Sequence, residues 1–151
     1  AALTTTLGQP VHAYVAHSAG ALTAMAARGI HGIAAARYVC ICAPSHPHPP
    51  ITVIRQKLDP RPGVLQRYRE HIAQQFDADW ATLATGTAYA GAGSNLLLFY
   101  DTTDRYIDHE EGNRLQALCP GAQLVKTTQY GHTRVLEAPE LAQAVGEFLQ
   151  T

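Results

Sequence analysis

Charge is scarce in this chain. Asp, Glu, Lys and Arg together make up only 15% of the 151 residues, and 11 basic and 12 acidic side chains leave a formal net charge of −1. A nucleic-acid surface needs clustered basic residues, and a membrane-surface helix needs a basic face. Neither is supplied, so no nucleic-acid partner and no membrane partner is expected. Long apolar runs are missing too. Nothing approaches the ~20 residues that cross a bilayer, and no charged start followed by an apolar stretch reads as a secretory leader. Cysteine is sparse, with Cys40, Cys42 and Cys119 the only three. An odd count without a secreted framework points to a reducing compartment, and the expected location is cytoplasmic. Cys40 and Cys42 lie two apart on an expected strand, which would put them on one face as packed thiols. Glycine-rich phosphate loops, dinucleotide fingerprints and Cys/His zinc spacings are absent, so no cofactor is expected. His46 and His48 stand among prolines, but a zinc site takes three or four ligands. No third ligand stands at a supporting distance along the chain, so no metal is expected.

What is present is apolar. Hydrophobic residues make up 46% of the chain, enough for the core of one ordinary domain. Four short runs read as strands: Val11–Val15, Tyr38–Ala43, Leu96–Tyr100 and Gln123–Thr127. The second and third are apolar on both faces, as strands of a parallel sheet are when helices cover both sides. Helical stretches separate them: Ala19–Arg28, His109–Cys119 with Leu115 and Leu118 on one side, and Pro139–Leu149 with Leu141, Val145, Phe148 and Leu149 at helical spacing and Pro139 suited to a first turn. Residues Ala1 to Gly8 read as the last turns of a further helix. The alternation predicts an α/β fold, a mainly parallel sheet of four strands with helices on both faces and right-handed crossovers. One connection is far longer than the rest, from Pro44 to Asn95. It opens Pro44-Ser45-His46-Pro47-His48-Pro49-Pro50, which is not expected to be regular structure. It continues into a helix over Pro62–Phe76 with Val64, Leu65, Tyr68, Ile72 and Phe76 down one face, and ends in a Gly/Ala-rich stretch. An insertion of that size with its own helix is expected to be a cap or lid.

The segment Ala16-His17-Ser18-Ala19-Gly20 joins the first strand directly to the first helix. Small residues around a serine at such a turn are what a nucleophile elbow requires, because strand and helix backbones nearly touch there. Taken alone, Ser18 reads as an N-cap for the helix that follows. Past the third strand comes Asp101-Thr102-Thr103-Asp104, and past the fourth comes Gly131-His132, where the glycine permits a sharp turn that aims the imidazole inward. Ser18, an Asp and His132 thus each follow a different strand at its carboxyl end, the edge where open α/β sheets place their ligand sites. The residue types, serine, acid and histidine, suit nucleophilic catalysis. A serine needs a base to take its proton, histidine is that base near neutral pH, and a carboxylate fixes the imidazole tautomer.

At these residues the chain resembles the α/β-hydrolases. Ala-His-Ser-Ala-Gly at 16–20, Leu-Leu-Leu-Phe-Tyr-Asp-Thr-Thr-Asp-Arg at 96–105, Gly-His-Thr-Arg-Val-Leu at 131–136 and the terminal helix carry the likeness, which spans nearly everything outside Pro44–Asn95. Ala16 stands where the elbow usually has glycine. The resemblance implies a partial α/β-hydrolase fold with a helical cap insertion over 44–95. It implies a serine hydrolase of small ester or related acyl bonds, with Ser18 as nucleophile, His132 as general base, Asp104 as triad acid (Asp101 being its competitor) and the Ala19 N–H in the oxyanion hole. His17 and Trp80 are candidate substrate contacts, and Tyr130 and Arg134 candidate supports of the histidine loop. It also implies that this chain corresponds to the carboxyl-terminal part of the family fold. The family places a second oxyanion donor on a loop after an earlier strand, and losing one such donor costs about 10²–10³ in rate. A bare first-strand edge would pair with something, so a homo-oligomer through that edge is one expectation. A piece of a longer chain and a non-catalytic half-fold stable only as an assembly are the others.

Overall fold

Strands and helices alternate along the computed structural model, which describes Thr6, Gly8 and residues 10–150. Most of the helix expected over Ala1–Gly8 lies outside the described residues. Among those described, the chain forms β1 (Val11–His17), α1 (Ala19–His31), β2 (Ala35–Ile41), α2 (His48–Leu58), α3 (Pro62–Gln75), α4 (Trp80–Ala84), β3 (Leu96–Asp101), α5 (Glu110–Leu118), β4 (Gln123–Thr127), α6 (Gly131–Arg134) and α7 (Pro139–Gln150). All the strands are parallel and lie in sequence order, β1-β2-β3-β4.

Alternation of side chains along each strand divides the core in two. On one face Tyr38, Cys40, Leu96, Leu98 and Tyr100 meet Leu22 and Met25 of α1, Leu115 of α5, and Tyr89 and Ala92 from the end of the long connection. On the other, Val39, Ile41, Leu97 and Phe99 meet Val135, Leu141 and Phe148. Right-handed crossovers between successive neighbours all fall on one side of a parallel sheet. α7, which no strand follows among the described residues, covers the opposite side. Every residue of β3 is buried, and each large aliphatic or aromatic side chain so buried contributes about 1.5–3 kcal/mol. α5 approaches the sheet closely at Gly112, where a Cβ would stand 2.7 Å from the Tyr100 ring and 2.9 Å from Leu124 Cδ1.

Two expectations need correction. Cys40 and Cys42 do not share a face: Cys40 packs in the first cluster and Cys42 in the second. Cys42 lies just past β2 with φ +45°, and that left-handed turn breaks the strand alternation. The proline-rich opening is not irregular throughout either. α2 begins at His48 and carries its prolines in the first turn, where an amide N–H has no helical acceptor to lose.

The long connection therefore holds α2, α3 and α4. α3 packs on α2 and α4, and of the face expected to be buried, Val64 is exposed, as are Val53 and Leu58 of α2. Ala73 is the buried residue of α3. The entrance to this segment is pinned by two buried hydroxyls. Tyr100 Oη donates to the Ala43 carbonyl (2.6 Å) and Tyr89 Oη to the Pro44 carbonyl (2.9 Å). At the other side of the sheet, β1 is paired with β2 alone among the described residues, and Val15 on it is half-exposed. Among the described residues no helix is long and apolar enough to cross a membrane.

Candidate active site

β1 delivers Ser18 to the carboxyl edge of the sheet in a conformation that serines rarely adopt, φ 54° and ψ −128°. A non-glycine residue held there costs on the order of 1–3 kcal/mol and persists only where its surroundings over-determine it. They do so here: the Ser18 N–H donates to the Ile41 carbonyl at 2.8 Å, and its own carbonyl accepts the Ala21 N–H at 3.0 Å. The hydroxyl does not cap α1. Instead Ser18 Oγ lies 3.0 Å from His132 Nε2, so of the two readings open from sequence, the cap is not the one adopted.

His132 sits in the single turn of α6, immediately after Gly131, whose φ of +71° supplies the left-handed step only glycine takes freely. The loop leading to it is gripped by Asp101. One carboxylate oxygen accepts from the Thr127 hydroxyl (2.7 Å) and the Gln129 and Tyr130 N–H groups (both 3.0 Å), and the other from the Thr103 and Gly131 N–H groups (both 2.9 Å). Asp101 has no solvent exposure. Burial alone would raise its pKa, but donation from Thr103, Tyr130, Thr127 and Gly131 outweighs it and holds the carboxyl well below the usual range. Asp101 thus anchors the loop behind the histidine, and the carboxylate facing the ring is Asp104. Its Oδ2 lies 2.6 Å from His132 Nδ1, while its Oδ1 accepts from the N–H groups of Tyr106 (2.7 Å) and Ile107 (3.0 Å). Ile107 is itself buried, which ties the Asp104 turn to the core.

These contacts fix the protons. A carboxylate only accepts, so in neutral His132 the hydrogen resides on Nδ1, and Nε2 keeps the lone pair toward Ser18. His17 adds a second constraint. Its Nε2 is 2.8 Å from the His132 carbonyl, which can only accept, so His17 carries its hydrogen there and fastens the α6 turn to β1. Burial lowers the pKa of His17, partly countered by that bond. The two rings lie 4.7 Å apart, and the largely exposed Tyr106 ring lies 5.2 Å from His132 on another side. Cys42 completes the floor, its thiol pushed up to about 12 by burial first and the Asp104 charge second. A cavity of 590 Å³ opens beside His132, lined among others by Arg105, Tyr106, Gln129, Tyr130 and Arg134.

Ser18, Asp104 and His132 are therefore brought together, and Ala19 stands next to them as the first residue of α1, where a helix leaves its N–H without an internal partner. Trp80 is elsewhere, at the start of α4, with its ring edge-on to His46 (5.6 Å) and beneath the Arg69 guanidinium (5.8 Å). Tyr130 donates its hydroxyl to Glu140, and Arg134 bonds the Tyr130 carbonyl, both bracing the histidine loop. Sequence reading passed over Tyr106 and took Cys42 only for a packed strand thiol; both positions depend on turns rather than periodicity. It also passed over Glu111 of α5, which folding places beside His46 and His48. Its only signal was the paired acid Glu110-Glu111 at a helix start.

No family model matches the chain, and no curated protein matches it by sequence. Solved structures do match in shape. An α/β-hydrolase enzyme from the metagenome of lagoon sediments at Mar Chica, Morocco, superimposes with a TM-score of 0.66 at 15% identity, over 98% of this chain and 65% of that one. The meta-cleavage product hydrolase of Pseudomonas fluorescens gives 0.64 at 16%, over 98% and 68%. The enol-lactonase of Burkholderia xenovorans gives 0.62 at 18%, over 99% and 69%. At such identities the likeness is one of fold: the chain adopts a partial α/β-hydrolase fold, spanning about two thirds of the length of these enzymes.

Proposed function

We propose that this chain carries the nucleophile, base and acid of a serine hydrolase acting on small carboxylic esters or related acyl bonds. The observation that carries the reading is the continuous relay from Ser18 Oγ to His132 Nε2 (3.0 Å) and from His132 Nδ1 to Asp104 Oδ2 (2.6 Å), mounted on a strained elbow. Ser18 Oγ attacks the acyl carbonyl carbon while its proton passes to His132 Nε2. The carbonyl oxygen becomes an oxyanion and accepts the Ala19 N–H. Asp104 stabilises the imidazolium. Collapse expels the alcohol, which takes the proton from Nε2 and leaves the acyl group on Ser18. Water then repeats the sequence, giving up its proton to Nε2 as it attacks, and the acid leaves as Ser18 recovers its proton. His17 acts as a positioning group through the His132 carbonyl, and the segment 44–95, with apolar Val53, Leu58 and Val64 on its surface, is the cap of the fold.

A second reading rests on the open edge of β1. There the chain is a non-catalytic half-fold completed by pairing of that edge, with a second copy or with residues that precede it. Turnover of short-chain nitrophenyl esters separates the two. The hydrolase reading predicts steady release of nitrophenol and its disappearance in Ser18→Ala. A folded protein with no turnover above that variant would overturn it.

A further inference from the structure

Away from Ser18, a second group of ligating side chains converges where the long connection leaves β2. His46 and His48 flank Pro47 at the entry to α2, and Glu111 lies in the first turn of α5. One ring nitrogen from each histidine and one carboxylate oxygen lie within 4.8 Å of one another. We propose that His46, His48 and Glu111 form a binding site for a divalent cation of the zinc type, which clamps the start of the cap segment to α5. This inference stands apart from the proposed hydrolase chemistry.

The donor set is chemically apt. Two imidazoles and a carboxylate are a recurrent zinc set, with a fourth position left to water. Bonds of about 2.1 Å at the tetrahedral angle place donors about 3.4 Å apart. His48 Nδ1 and Glu111 Oε2 are 3.9 Å apart, too far for a hydrogen bond and within a small contraction of a shared ion. His48 Nδ1 is sealed from solvent and has no hydrogen-bond partner, the condition of a nitrogen whose partner is missing.

The surroundings are organised in advance. The Ser45 N–H donates to Glu111 Oε2 at 2.7 Å, and Ser45 Oγ lies 2.9 Å from His46 Nδ1 while accepting from Arg114 at 3.0 Å. Such outer contacts orient metal ligands. Ser45 itself is buried, and the preceding carbonyls are the ones held by Tyr100 and Tyr89. Two cations work against the site. Arg114 lies 3.6 Å from the other oxygen of Glu111 and also bonds the Ala84 carbonyl, and Arg69 stacks over the Trp80 that meets His46. Both cations weaken the expected affinity relative to a closed thiolate site.

His17, Cys42 and His132 form another group within the same distance of one another, and the test must tell the two apart. Metal-stripped, tag-free protein is titrated with Zn²⁺ against a chromophoric chelator, and with Co²⁺ by absorption spectroscopy. The proposal predicts one equivalent bound, a rise in Tm on saturation, and a Co²⁺ spectrum without a thiolate charge-transfer band. It predicts at least tenfold weaker binding in His46→Ala, His48→Ala and the near-isosteric Glu111→Gln, with unchanged binding in Cys42→Ala. Absence of stoichiometric binding would overturn it. So would a thiolate band lost in Cys42→Ala, or a Tm raised by inorganic phosphate and not by Zn²⁺, which would assign the cluster to an anion.

Discussion

Asp104→Asn offers the sharpest perturbation, because the structure separates what the residue does for the fold from what it does for His132. Its Oδ1 accepts two backbone N–H groups, from Tyr106 and Ile107, and the amide oxygen of asparagine can keep both. The amide nitrogen then occupies the place of Oδ2, 2.6 Å from His132 Nδ1. It can only donate, so His132 must present a lone pair at Nδ1 and carry its hydrogen on Nε2, facing Ser18. The base is lost although every heavy atom stays in place. The expected fall in kcat/KM is about 10⁴-fold, or about 5 kcal/mol of transition-state stabilisation. The loss in folding stability is expected to be at most about 1–2 kcal/mol, since one charge-assisted hydrogen bond is exchanged for a neutral one. Ester hydrolysis at neutral pH measures the first, and urea denaturation the second. A variant retaining activity within tenfold of the parent would refute the assignment of Asp104. A variant that unfolds would refute the division of labour between its two oxygens.

Other consequences follow from single contacts. Asp101→Asn should cost about 1–3 kcal/mol in urea denaturation, because an amide nitrogen would face N–H and O–H donors. The Asp101 carboxyl is depressed in the fold, so its contribution is present above the unfolded value of about 3.9 and is lost as pH falls below it toward the folded value. Stability of the parent should therefore drop more steeply than that of the variant in acid, and parallel curves would contradict this. Gly112→Ala should destabilise by about 1–3 kcal/mol despite the better helix propensity of alanine, because the new methyl meets the buried Tyr100 ring. A Tm at or above that of the parent would be the contrary result. Ser18→Gly should abolish turnover yet raise stability by about 1 kcal/mol, since glycine occupies φ 54°, ψ −128° without strain. Equal or lower stability would contradict that. Cys42, with its thiol pushed up to about 12, should resist iodoacetamide at neutral pH until urea unfolds the chain. Rapid native labelling would place the thiol in a different environment.

The sheet was largely legible from sequence because its signal is periodic. β4 matches its expected bounds of Gln123–Thr127, and β3 differs by Asp101 alone. β1 runs on to His17, and β2 starts earlier and ends earlier than its apolar run suggests, since Cys42 turns out of the strand. The convergence of Ser18, Asp104 and His132 was readable because each follows its own strand, and strand ends of a parallel sheet share an edge. The long connection was less legible. Proline argued against structure at 44–50, yet proline in a helix first turn forbids nothing. The apolar stripe of α3 promised burial, but that helix packs mainly on α2 and α4 and leaves Val64 in solvent. Glu111 escaped because His46 and His48 meet it only through tertiary structure, with 66 residues separating it from Ser45, the residue that holds its carboxylate.

The most direct test of the central claim is covalent. A fluorophosphonate reacts only with a serine whose hydroxyl is deprotonated by a neighbouring base as it attacks. Incubated with folded protein at neutral pH and followed by intact-mass and peptide analysis, it should add one phosphonyl group, located on Ser18 and absent in His132→Ala. Folded protein that takes up no label, or carries it on another residue, would contradict the account.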